Sequence, residues 1–222
     1  MRLPKLLLAV GMLLCAGMVT APAAAQVFDS RAIAAQKYGT TKARVIAGDL
    51  DIDWRAFRLA AAVGEVSEGF DWHAARERAM ADLDAGNYDK ALQQAKTAID
   101  HNMSFLEGHL LAMRALEKLG KPDEAKKELA ILNAIGKSIM ESGDGNSPTT
   151  SWFTVSLSET YFFLTDALGA TFENQELVRS NGHAYDKLTV VDRQGKKRDV
   201  WFNSDVNETL KERGLQASPN SN

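Results

Sequence analysis

The chain has 222 residues, 26 basic and 29 acidic, a formal net charge of −3 at pH 7 and one cysteine. That length suits one ordinary domain, or a small helical unit joined to a second lobe. The acidic balance argues against nucleic acid or an anionic bilayer as main partner, since both demand basic surface, and a lone cysteine excludes an internal disulfide framework.

Residues 1–25 are expected to be a cleavable secretory leader. Arg2 and Lys5 precede an apolar run from Leu6 to about Val19, and the segment closes on Ala23-Ala24-Ala25. A signal peptidase reads that order of positive, apolar and small residues. A membrane span needs about 20 apolar residues, and this run is shorter, with a cleavage signal behind it. Lipid attachment at Cys15 calls for a small residue before it; Leu14 stands there instead. Cleavage after Ala25 leaves 197 residues without a thiol, carrying 24 bases against 29 acids. A periplasmic or secreted protein follows, with no stable membrane insertion once the leader is gone. Residues 26–50 read as a linker.

Residues 51–141 read as a helical repeat region. Asp53 is placed to cap a helix carrying Trp54, Phe57, Leu59, Ala60 and Val63. Two segments then look alike: Gly86-Asn87-Tyr88-Asp89-Lys90-Ala91 and Gly120-Lys121-Pro122-Asp123-Glu124-Ala125, offset by 34 residues. That spacing is similar to the tetratricopeptide repeat, a helix-turn-helix unit. Gly86 and Gly120 suit the left-handed residue after a first helix. Asp89 and Asp123 suit the first turn of a second helix, where acid complements the dipole. Ala91 and Ala125 are small enough for close helix approach. Ala95, Ala98 and Ile99 continue an inner face at helical spacing. About three repeats are needed to bury a continuous core, so the flanking helix and the C-terminal region must cap the array.

Residues 142–210 change period. Ser142-Gly143-Asp144-Gly145-Asn146-Ser147-Pro148 is a loop by composition. Trp152 to Leu157 has β character, and Ser158 is placed to cap a helix carrying Tyr161, Phe162, Leu164 and Leu168 and ending at Gly169. Tyr185 to Val191 alternates, with Leu188 and Val190 on one face. Asp192-Arg193-Gln194-Gly195 turns the chain, and Asp199 to Asn203 returns as the second strand of a β-hairpin. Lys196-Lys197-Arg198 is a short basic patch in that turn. Residues 211–222, ending in Ser218-Pro219-Asn220-Ser221-Asn222, read as a disordered tail. The expected fold class is α+β: tetratricopeptide-like helical hairpins packed on a smaller C-terminal α+β lobe with a β-hairpin.

The string from Ser142 to Ser147, with Phe153, Val155, Glu159, Tyr161, Leu164 and Gly169 behind it, resembles a bacterial domain-of-unknown-function family, number 4919. So do Gln175, Leu177 and Val178, then Tyr185-Asp186, Leu188 and Val190, and the closing Trp201-Phe202-Asn203. Asp53-Trp54-Arg55 with Phe57-Arg58 looks like the opening of the same domain, so the resemblance runs from about Asp51 to Val206. It departs at Ser158-Glu159-Thr160-Tyr161, where relatives often resemble Glu-Glu-Tyr, and at Trp201, where tyrosine is commoner. It implies exported bacterial proteins with a repeat-like helical region, and no activity.

No catalytic motif is present. Gly136-Lys137-Ser138 lacks the glycine a phosphate loop requires five residues earlier, where Ile131 stands, and falls late in a helix. Asp144 and Asn146 lack the further oxygen ligands and closing glutamate of an EF-hand; the plain reading is a turn in which Asp144 satisfies backbone donors. His73, His101, His109 and His183 lack the three- or four-residue spacing of a helical zinc pair, and read as surface or capping residues. There is no Gly-x-Ser-x-Gly elbow and no Ser-x-x-Lys pair. Glu159 with Asp186 could in principle do acid-base work, though capping suits their positions. No metal or cofactor is expected.

Two functions follow. The first is a non-catalytic module that binds a protein or peptide of the cell envelope on a concave helical face. The second is an envelope small-ligand binder or hydrolase built on the C-terminal lobe, with Ser142, Asp144, Glu159, Tyr161, Asp186 and Asn203 as its candidate residues. It requires those six to converge on one pocket. Under either, Tyr161, Trp201 and Phe202 are expected to be core.

Overall fold

The computed structural model describes residues 23–212, apart from 65 and 67. An N-terminal helical region packs against a C-terminal lobe of mixed sheet and helix. The leader expected over 1–25 falls outside the described residues except at 23–25, and the tail from 213 onward lies outside them too.

The stretch read as a linker is largely helix α1, Ala23–Ile46. Ala34, Tyr38 and Val45 recur at helical spacing and are buried. Tyr38 stacks on Phe57 with centroids 4.9 Å apart, and its hydroxyl accepts the Met103 N–H at 2.7 Å. A polar-rich sequence hides this stripe, because its partner surface is supplied from far along the chain. Helix α2, Trp54–Val63, starts as expected: an Asp53 carboxylate oxygen accepts the Ala56 N–H at 2.9 Å. Gly64 closes α2 against α1; a Cβ there would lie 2.7 Å from the Ala35 nitrogen, so only glycine allows this approach.

Helices α3 (Trp72–Asp84), α4 (Tyr88–His101), α5 (Leu106–Lys118) and α6 (Pro122–Met140) follow. Gly86 and Gly120 have φ of 78° and 70°. At the first turn the Gly86 N–H reaches Leu83 O and the Asn87 N–H reaches Asp82 O; at the second the Gly120 N–H reaches Glu117 O and the Lys121 N–H reaches Leu116 O. Both are Schellman caps, satisfying the last carbonyls of a helix through one left-handed residue. Gly48, with φ of 91°, makes the same turn after α1: its N–H reaches Val45 O and the Asp49 N–H reaches Arg44 O. The turn therefore occurs three times among the described residues. Ala91 and Ala125 are buried. Each helix from α3 to α6 packs on the next, and α2 lies against α6.

The lobe opens with a 3₁₀ turn, Pro148–Thr150, and a two-residue strand β1, Trp152–Phe153. Strand character therefore stops well short of Leu157. Helix α7, Leu157–Phe162, runs on into a π turn, Phe163–Ala167. Its cap is Ser156, not Ser158: the Ser156 hydroxyl accepts the Glu159 N–H at 3.2 Å. Strands β2 (Thr171–Ser180), β3 (His183–Val191) and β4 (Lys197–Asn203) follow, and helix α8, Asp205–Glu212, closes the described chain. The sheet order is β1-β4-β3-β2, with β1 parallel to β4 and the other neighbours antiparallel. Strand β2 was not expected. Its signal was the Asn181-Gly182 turn, where both residues have positive φ, as a two-residue type I′ connection requires. Leu188, Val190, Val200 and Phe202 are fully buried on one sheet face, with Trp152 and Phe163 packed on Phe202.

Candidate functional site

The loop with the most specific sequence is a structural plug. Gly143 has no room for a Cβ, which would strike Thr150 O. Gly145 has φ of 68°, and its missing Cβ leaves space for the Trp152 ring. The Asp144 and Gly145 N–H groups both donate to Thr150 O, and Gly145 O accepts the Trp201 N–H from β4 at 2.9 Å. Asp144 accepts the Asn146 N–H at 2.9 Å. Hydrogen bonds from the Thr150 side chain and from that N–H hold its carboxyl below the usual range. Ser142 donates to Ile139 O at 2.6 Å and accepts the Phe153 N–H at 2.7 Å. Each polar atom named here has its partner in the surrounding chain.

Glu159 does something the sequence did not disclose. One of its carboxylate oxygens takes the Val155 N–H at 3.0 Å and an Arg58 Nη at 2.6 Å. Arg58 is fully buried, and the Glu159 side chain is 7% exposed. The guanidinium also donates to the Ser138 hydroxyl at 3.1 Å and lies 3.4 Å from Phe153 O. This buried ion pair ties α2, in the helical region, to the start of α7, in the lobe.

Tyr161 and Asp186 are joined through Gln175. The Tyr161 hydroxyl donates to the Gln175 carbonyl at 2.7 Å, and the Gln175 amide donates to Asp186 at 2.5 Å. The other Asp186 oxygen accepts from the Ser204 hydroxyl. Asp186 shares a strand face with Leu188 and Val190 and is buried with them. Burial, then the nearby Asp186 charge, raises the Tyr161 pKa. Asn203 bonds Asp205 at the start of α8. Phe202 is core, whereas Tyr161 and Trp201 are half-buried; Trp201 lies under the Lys187 ammonium at 5.8 Å.

The six candidates do not share one pocket. Glu159 and Tyr161 line a cleft of about 880 Å³ between the helical region and the lobe. Ser142 borders a separate depression of about 480 Å³ beside α2 and α6. Asp144, Asp186 and Asn203 line neither. The cleft takes most of its character from residues that sequence reasoning passed over. Trp72 and Phe105 meet edge to face with centroids 4.9 Å apart, and Phe70 stacks on His101 at 4.1 Å. Arg76 Nε lies 3.0 Å from a Glu107 oxygen. Trp72 and Arg76 lie at the start of α3, Phe105 and Glu107 at the start of α5, and His101 ends α4; their convergence was not legible in the sequence.

His109 is not the surface or capping residue expected. It is fully buried, with Nδ1 2.7 Å from Glu128 and Nε2 2.8 Å from Met103 O. It thereby holds the Asn102–Phe105 turn that forms one wall of the cleft. No group of three metal-ligating side chains occurs among the described residues, and no described helix is long and apolar enough to cross a membrane.

A helical region fastened by a buried ion pair to a mixed-sheet lobe, with a cleft along the seam, is the class of protein this fold defines. A family model matches residues 73–213, and the chain belongs to that family, described as Domain of unknown function (DUF4919). The match begins at His73 rather than near Asp51, which leaves α1 and α2 outside it. No curated protein and no solved structure matches the chain.

Proposed function

We propose that this is a non-catalytic module of the cell envelope that binds a segment of another polypeptide in the cleft between its two parts. The observation that carries the reading is the cleft, about 880 Å³ and walled by Phe70, Trp72, Phe105 and Tyr161. Aromatic walls with a few polar groups are what recognition sites use. The recurring Schellman turns and the 34-residue offset support a tetratricopeptide-like hairpin array for α3–α6, with α1–α2 and the lobe as its caps. The leader-like sequence of residues 1–25 supports a periplasmic or secreted location.

The rival reading, a small-ligand binder or hydrolase on the lobe, needed six residues in one place. The distribution of those residues over the cleft, the depression, the sheet and the plug does not support it.

The test uses random peptides displayed on phage, selected on the full chain without its leader. Selection on wild type is compared with selection on Ser158→Trp, which fills the cleft from a half-buried position on α7. Enrichment on wild type that disappears on Ser158→Trp supports the reading. Equal enrichment on both, or none on wild type, overturns it.

A further inference from the structure

The cleft is lined by more carboxylates than cations. Its lining carries Glu68, Asp71, Glu107 and Glu159 against Arg58 and Arg76. Both arginines are engaged, Arg58 on Glu159 and Arg76 on Glu107; Glu68 pairs with Arg31 outside the lining, and Asp71 caps α3 through the Ala74 N–H. Glu107 is 16% exposed, and its second oxygen, Oε2, is buried and meets no donor among the described residues. A buried acceptor left without a donor costs free energy that a donor returns. Arg76 does not restore the balance. Burial, opposed by Arg76 and reinforced by the Asp166 carboxylate from the π turn, pushes the Glu107 carboxyl up to about 6. The Trp72 and Phe105 rings line the same cleft.

Deepening the reading of the cleft as a peptide site, and resting on it, we propose that Glu107 is the counter-ion for a lysine or arginine side chain of the bound polypeptide, whose alkyl stem lies along Trp72 and Phe105. A carboxylate with one oxygen short of a donor, in a cleft with aromatic faces, matches both ends of such a side chain: the head group donates charge-assisted hydrogen bonds, and the stem is apolar. An acidic partner side chain would meet the Glu107 and Asp71 carboxylates instead. The cleft is also far larger than one amine requires, which suits a side chain delivered on a backbone.

The experiment starts from the same peptide selection at neutral pH, adding Glu107→Gln. Basic residues should recur at one position of the peptides that wild type enriches and Ser158→Trp does not. In synthetic versions of those peptides, replacing the basic residue by norleucine or citrulline should weaken binding to wild type about tenfold or more. The same replacement should change little on Glu107→Gln. Wild-type affinity should fall as pH drops through the Glu107 titration, while Glu107→Gln stays flat. Cadaverine should compete only far above the peptide's own dissociation constant. Cleft-dependent enrichment without a basic position overturns this inference and leaves the peptide-binding reading standing, as does equal binding to wild type and Glu107→Gln. Cadaverine binding as tightly as the peptide overturns the polypeptide source. No cleft-dependent enrichment removes both.

Discussion

Arg58→Met removes the tie between the two parts of the molecule. Arg58 is fully buried and bonds Glu159, Ser138 and Phe153 O. Without it the Glu159 carboxylate stays buried on the Val155 N–H alone. Breaking one side of a buried pair costs about 3–5 kcal/mol, a large share of the roughly 5–15 kcal/mol that keeps a domain folded. For a chain of this size that is a fall in Tm of about 6–20 °C. Glu159→Gln should cost a similar amount, because it strands the guanidinium. Combining the two should cost less than their sum by at least about 2 kcal/mol, since neither charge is then left alone. Urea unfolding of the four proteins measures this. The reasoning is refuted if Arg58→Met costs less than about 1 kcal/mol, or if the pair is additive within about 0.5 kcal/mol.

Glu107 makes stability depend on pH. Its folded-state pKa of about 6 lies above the ordinary 4.5, so its contribution is fully present below 4.5 and is lost as pH rises through 6. The loss approaches about 2 kcal/mol, and Glu107→Gln should unfold at higher urea than wild type at pH 8 but not at pH 4. Gly145→Ala and Gly195→Ala both place a side chain at positive φ, 68° and 77°. Gly195 faces open space while a Cβ on Gly145 enters the Trp152 ring, so Gly195→Ala should cost about 1 kcal/mol and Gly145→Ala several times more in thermal melts. Tyr38→Phe strands the buried Met103 N–H and should cost about 1–3 kcal/mol by urea unfolding, with faster hydrogen exchange at Met103.

The readings that held concern residues close together in the chain. Gly86 and Gly120 were legible as helix stops because a left-handed residue satisfies carbonyls three and four positions back. Asp53 was legible as a cap, and Leu188 with Val190 as one strand face. The misreadings have the opposite cause. Helix α1 looked like a linker because Tyr38 finds its partners at Phe57 and Met103. His109 looked peripheral because Glu128 lies on the next helix and Met103 in the preceding turn. Strand β2 was missed although Asn181-Gly182 announced it, because its largely exposed residues lack the alternation that marks a half-buried strand.

In the candidate site the division falls the same way. Asp71 and Glu107 sit in helix starts that local pattern could place, and the aromatic residues beside them were visible as apolar. Their meeting on one cleft, the missing donor at Glu107 and the union of Arg58 with Glu159, 101 residues apart, belong to tertiary structure alone. By itself the sequence determined caps, turns, strand alternation and net charge, since each is decided by neighbours within a few residues. Which charges were buried together, and which carboxylate oxygen was left without a donor, was decided only when the helical region and the lobe packed on each other.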